Sequence, residues 1–238
     1  MSWPITWLAQ RHGFTPNGAT AVRAAVAACG LALTAAPWVT VHQIGVSIYF
    51  LALVLDNVDG NLSRMQDDAS HLGKYLDGLV DSVSEALLPF AIGLHIWLAT
   101  GTGNALWLGA GAAFLLISLQ SAYLRFAIAA KEVASAPTEA SGPRRYPAVA
   151  RLLEAGPIVE ILRPVERHGL DVLWDARYGG LLLALAVGGT EFYLAAIFAL
   201  HLAVWAVLVP ARVARALVEL DIHRKSRSAA DYNRGSET

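Results

Sequence analysis

Long apolar stretches alternate with short polar ones along the chain. A helix needs roughly 20 apolar residues to cross hydrocarbon, and stretches of about that length fall at 21–41, 43–63, 76–100, 104–130, 171–189 and 191–212. The pattern predicts an all-α integral membrane protein with six transmembrane helices. The fifth stretch is the least uniform, since its uninterrupted apolar core is Leu181–Val187 and Asp175 and Arg177 stand near its start. Ahead of the first, residues 1–14 carry Trp3, Trp7, Leu8 and Arg11 and lack the basic-then-apolar order of a cleavable signal. An amphipathic helix lying on the membrane surface is expected there. Residues 131–169 contain Pro137, Pro143, Pro147, Pro157 and Pro164 and predict a loop with surface-bound helical pieces, one of them at 148–155. Residues 1–220 read as one membrane domain without a repeat, and 221–238 as a polar tail.

Composition agrees with a bilayer setting: 55% of residues are hydrophobic, 16% are charged and the mean hydropathy is +0.47. Cys29 is the single cysteine, which excludes a disulfide framework and a cysteine-based metal site. A net charge of -1 gives no case for a nucleic-acid partner. The placement of charge is more informative. All 18 Lys and Arg residues fall on one side, Arg11 and Arg23 flanking the first span and the rest near or beyond the same-side ends of the others, while the connections near Pro37–His42, Thr100–Asn104 and Gly188–Glu191 contain none. By the positive-inside tendency that side is the cytoplasm, which puts the 131–169 loop and both termini there. A multi-pass protein of a bacterial inner membrane is the expected setting.

Asp56, Asp59, Asp77 and Asp81 fall at the cytoplasmic ends of the second and third spans. A carboxylate near hydrocarbon costs on the order of 3 kcal/mol by insertion scales, so four of them require compensation. On helices, Asp56 and Asp59 are three residues apart and Asp77 and Asp81 four apart, so each pair shares a helix face. Facing one another, the pairs would make an all-oxygen cage in which mutual repulsion calls for a cation, and hard divalent ions such as Mg²⁺ suit such ligands. Gly60 follows Asp59, and Gly73 precedes Asp77 by one turn, both where a side chain would obstruct a ligand or a close helix crossing. Arg64, one turn beyond Gly60, is placed to neutralise a phosphate.

These residues resemble a known signature. Asp56, two residues, Asp59-Gly60, two residues, Ser63-Arg64, eight residues, Gly73, three residues, Asp77, three residues and Asp81 reproduce every spacing of the CDP-alcohol phosphotransferase motif, with Ser63 where that family usually has alanine. The segment Thr15-Pro16-Asn17 through Thr20 and the six-span layout are also similar to the family. The resemblance implies two divalent metal ions, Mg²⁺ or Mn²⁺, held by Asp56, Asp59, Asp77 and Asp81, with Asp81 also the general base. It implies donor contacts from Gly60, Arg64, Ser70 and Gly73, and from Asn17 to Thr20. The implied reaction is attack by an acceptor hydroxyl on the donor phosphorus farther from cytidine, with CMP leaving. A CDP-linked lipid such as CDP-diacylglycerol is the expected donor, and a homodimer among membrane lipids the expected assembly. Ser84 and Pro89 resemble members that use serine as acceptor, whereas Glu85 and Ala86 depart from them.

Two other functions compete. One is transfer of a polar head group from a CDP-amino alcohol to a lipid acceptor; the other, from a different class, is ion-coupled transport, because intramembrane carboxylates also mark ion paths. Clustering of the aspartates at one face and the lack of an inverted repeat weigh against transport. Glu85 extends the Asp77 and Asp81 face by one turn, either lining the cavity or pairing structurally. Arg125, Lys131 and Arg177 either bind an anionic acceptor or anchor lipid head groups. The seven histidines show no metal-ligand spacing, and the seven tryptophans lie mainly near span ends.

Overall fold

The computed structural model describes residues 3–66, 71–135, 170–210 and 213. Ser70, the loop beyond residue 135 with its expected helix at 148–155, and the 221–238 tail lie outside them. Helices account for the regular structure of the described residues, without a strand: α1 (Trp3–Arg11), α2 (Pro16–Thr34), α3 (Val39–Gln66), α4 (His71–Thr100), α5 (Gly103–Ser135), α6 (Leu170–Val187) and α7 (Thr190–Pro210). Two compact units divide the chain, residues 1–117 with 181–200, and 118–180 with 201–238.

Among the described residues, four helical segments are long and apolar enough to cross a membrane: Val39–Gln66, Gly73–Thr100, Gly103–Ala122 and Thr190–Pro210. Large apolar side chains such as Trp107, Phe114 and Phe192 are turned outward on them, at 76%, 69% and 83% exposure. Apolar surface on that scale suits lipid and not water, as in a membrane protein. The second to fourth predicted stretches correspond to α3, α4 and α5. The first is displaced: helix α2 runs Pro16–Thr34 where the hydropathy pattern placed 21–41. Its start is set by capping, since the Thr15 hydroxyl accepts the Gly18 N–H at 3.1 Å and Pro16 takes a first-turn position where no N–H is needed.

The other end of α2 is closed by two imidazoles. His42 of α3 donates from Nδ1 to the Thr34 carbonyl at 2.7 Å, and His95 of α4 donates from Nδ1 to the Ala36 carbonyl at 2.5 Å. A carbonyl only accepts, so both rings carry their hydrogen on Nδ1. The rings stack with centroids 3.8 Å apart and planes 12° from parallel. Carbonyls left over at a helix end thereby find donors inside a buried site.

Close crossings fix how the helices meet. A Cβ on Gly45 would lie 2.2 Å from the Thr34 backbone nitrogen, and one on Gly30 would lie 2.6 Å from that of Tyr49, so α2 and α3 touch backbone to backbone. Gly93 and Gly109 do the same for α4 and α5, where an added Cβ would lie 2.5 Å from the carbonyl oxygens of Ala105 and Pro89 respectively. Small residues permit this approach, and packing in its place holds membrane helices together. At the motif end, Ala19, Val58 and Leu62 form a buried cluster against which Ala9 of α1 and Leu55 pack. Helix α1 ends at Arg11 and the chain turns away at Gly13, whose φ of 71° is left-handed; the Gln66 side chain then donates to the Phe14 carbonyl at 2.9 Å.

Candidate functional site

Three helices of the first unit supply the site. The face of α3 that carries Val58 and Leu62 into the core also carries Asp59, which is only 5% exposed. Its carboxylate accepts from the Thr20 hydroxyl of α2 at 2.9 Å and from the Gly60 N–H at 2.7 Å. A buried carboxylate needs such donors, and Thr20 is itself buried. Asp56, one turn earlier on α3, and Asp77 of α4 complete a trio. One oxygen of each lies within 4.8 Å of the others. The notion that the two acidic pairs face one another is therefore realised for Asp56, Asp59 and Asp77.

Asp81 stands one turn further along α4 and outside that trio. It is joined to the others by Arg23 of α2, whose side chain is 3% exposed. Nη1 of Arg23 pairs with Asp56, lies 2.9 Å from Asp77 Oδ1 and lies 3.9 Å from Asp59 Oδ2. Its Nη2 donates to Asp81 Oδ1 at 2.7 Å and to the Asp77 carbonyl at 3.3 Å. A planar guanidinium can serve several carboxylates in this way where a lysine could not. The side chains of Asp56, Asp77 and Asp81 are 41%, 42% and 48% exposed, so the cluster is reachable from outside although its cation is buried.

Sequence reasoning missed Arg23 and counted it as a basic residue flanking the first span. The signal was present: Arg23 stands three residues after Thr20, on the same face of α2, inside an alanine-rich apolar stretch where a lone charge is costly. The remaining candidates separate. Gly60 is half-buried beside Asp59, and a Cβ there would meet only the Arg64 guanidinium, at 3.7 Å and 3.9 Å, an ordinary contact. Helix packing does not therefore demand glycine at 60. Arg64 is exposed and donates to the Asn61 side chain at 2.6 Å. Gly73 is half-buried in the first turns of α4, and Asn17 is exposed in the first turn of α2, while its neighbour Thr20 reaches the cluster. Glu85 is half-buried one turn beyond Asp81. Arg125 and Arg177 belong to the second unit, where Arg177 donates to the Tyr178 hydroxyl at 2.8 Å.

An apolar cavity of about 530 Å³ lies between α2 and α4, lined by Ala24, Ala27, Leu31, Val80, Val83 and Leu87 among others. Ser84 also lines it, and the Ser84 hydroxyl donates to the Asp81 carbonyl at 3.2 Å, which ties the cavity wall to the polar cluster.

The oxygen-only trio fits a hard divalent cation in donor type and spacing, with neither nitrogen nor sulfur among its ligands. No curated protein matches the chain. The family model for CDP-alcohol phosphatidyltransferase matches residues 14–162, a segment that begins just before α2, takes in all four aspartates and Arg23, and covers more than half of the sequence; the chain belongs to that family.

Proposed function

We propose that the protein transfers a phosphatidyl group from CDP-diacylglycerol to a hydroxyl acceptor and releases CMP. The observation that carries this reading is the convergence of Asp56, Asp59 and Asp77 within 4.8 Å, at the family's spacing and at one end of two apolar helices. These three would hold divalent metal, Mg²⁺ or Mn²⁺, with Thr20 and the Gly60 N–H fixing the buried Asp59. A metal held there would supply positive charge to stabilise the diphosphate of the donor. Asp81, held by Arg23 and half-exposed, accepts the proton of the attacking hydroxyl. A bond forms from the acceptor oxygen to the phosphorus bearing diacylglycerol, and the bond from that phosphorus to the CMP oxygen breaks. Base assistance of this kind contributes about 10²–10⁴-fold.

Gly60, Gly73, Arg64 and Ser70 contact the donor in this reading, with Asn17 and Thr20 at the edge of its site. The freedom around Gly60 supports that assignment, because a position without internal need for glycine has room for a ligand backbone-to-backbone approach. The apolar cavity beside Arg23 and Asp81 supports a lipid donor over a soluble one, since such a cleft has nothing to offer a polar head group. In the membrane, α2 and α6 join the four longer spans to make six; nineteen residues of α2 extend about 28 Å, close to the hydrocarbon thickness. Helix α1 lies on the cytoplasmic surface, both termini are cytoplasmic, and the protein is a homodimer of the bacterial inner membrane in this reading.

The test is CMP release by purified protein with Mg²⁺, CDP-diacylglycerol and, separately, serine, glycerol 3-phosphate, inositol or inositol phosphate. Stimulation by one acceptor identifies the branch. Release only from CDP-amino alcohols with diacylglycerol would replace this reading with head-group transfer, and no release from either donor would reject phospho-alcohol transfer.

A further inference from the structure

We infer that Arg23 is a built-in rival of the divalent cation: guanidinium and metal compete for the same carboxylate oxygens, and metal loads by displacing Arg23. The inference rests on the reading of Asp56, Asp59 and Asp77 as metal ligands. Its basis is that a single nitrogen of Arg23 serves the whole trio. Nη1 pairs with Asp56 and lies 2.9 Å from Asp77 and 3.9 Å from Asp59. A divalent ion bonded to one oxygen of each would stand beside that nitrogen, where two adjacent positive charges repel even though Asp56 and Asp77 are half-exposed. Both cannot hold these positions.

Charge and connectivity make the exchange feasible. Four acidic side chains share one guanidinium, so the cluster offers more carboxyl oxygens than Arg23 can serve and still attracts a divalent ion. Arg23 also has a second hold, because Nη2 binds Asp81 and the Asp77 carbonyl, neither of which depends on the trio's oxygens. A guanidinium released from Asp56 and Asp59 can swing toward half-exposed Asp81 on its flexible stem, and need not enter the apolar cavity beside Ala24. Two consequences follow from one residue. Without metal, Arg23 keeps the acidic helices together; with metal, it lowers the affinity of the site by the cost of its own displacement.

Mn²⁺ titration of the full-length protein in lipid nanodiscs, with free Mn²⁺ read by electron paramagnetic resonance, tests this without recourse to activity. Mn²⁺ binding should weaken at least tenfold in the Asp56→Asn, Asp77→Asn double variant. It should tighten about tenfold or more in Arg23→Gln, the range expected when a competing ion pair is removed, and by less in Arg23→Lys, whose ammonium still meets the trio with one nitrogen but gives up the bonds that Nη2 makes to Asp81 and the Asp77 carbonyl. Metal-free Arg23→Gln should also melt below the wild type and gain more from Mn²⁺. If Arg23→Gln does not fold, Arg23→Lys decides alone, with several-fold tightening in support. Mn²⁺ binding indifferent to the aspartates would reject the metal reading and the inference with it. Aspartate-dependent binding that is unchanged or weaker in both Arg23 variants would overturn the inference and leave the metal reading intact.

Discussion

Arg23 Nη2 and Asp81 Oδ1 lie 2.7 Å apart, although 58 positions separate the two residues in the chain. That bond ties α2 to α4 and holds the Asp81 carboxylate at the edge of the acidic cluster, outside the trio formed by Asp56, Asp59 and Asp77. A carboxylate so placed is available for proton transfer without being needed to hold a cation. Asp81→Asn should therefore lower turnover by about 10²–10⁴-fold while Mn²⁺ binding stays within a few-fold of the wild type. Parallel measurement of CMP release and Mn²⁺ affinity checks this, and an equal collapse of both would place Asp81 among the metal ligands instead.

Thr20 hydrogen-bonds Asp59, the most buried aspartate of the cluster, across the α2–α3 contact. Replacing Thr20 with valine keeps the side-chain shape and removes the hydroxyl that donates to Asp59 at 2.9 Å. A hydrogen bond to a buried charged group is worth about 1.5–3 kcal/mol, so Thr20→Val should melt several degrees lower than wild type in detergent. Thr20→Ser should hold most of the difference. Equal melting temperatures for the two variants would show that the bond to Asp59 carries no stability.

Two glycines of α3 make opposite predictions. In the interior of a helix, alanine is better than glycine by about 0.8–1.0 kcal/mol, and Gly60→Ala meets nothing closer than 3.7 Å, so it should leave thermal stability unchanged or raised. Its CMP release should nonetheless fall at least tenfold if the position faces the donor. Gly45→Ala would drive a Cβ to within 2.2 Å of the Thr34 nitrogen, forcing α2 and α3 apart. Overpacking costs about 1–3 kcal/mol or more, so Gly45→Ala should unfold at lower temperature. Melting curves of the two variants separate a packing glycine from a ligand-facing one.

The acidic constellation was legible in the sequence because its members are close along the chain and their helical register follows from spacing alone. Helices α3 and α4 were found for the same reason, though hydropathy placed them at 43–63 and 76–100 where the helices run Val39–Gln66 and His71–Thr100. Helical hydrogen bonding continues beyond the apolar stretch, and hydropathy does not register it. The shift of α2 has another cause: its limits are set by the Thr15 cap and by a turn before Val39, local features that a broad apolar window averages away. Arg23 was misread because its partners lie in other helices. A basic residue near a span end reads equally well as an anchor or as a counter-ion, and only the approach of α3 and α4 decides between them. The stacked pair His42 and His95 was invisible for the same reason, as 53 residues separate rings that meet only after three helices have packed.

The most direct measurement is a balance of products. Protein in lipid nanodiscs is given Mg²⁺, an acceptor that stimulates turnover and CDP-diacylglycerol labelled in its phosphatidyl group, and CMP and labelled phospholipid are quantified together. Equal amounts of the two are expected, with no product after EDTA treatment and recovery when Mg²⁺ or Mn²⁺ is restored. Product formed at an undiminished rate in EDTA, or CMP released without a matching phospholipid, would contradict metal-dependent phosphatidyl transfer.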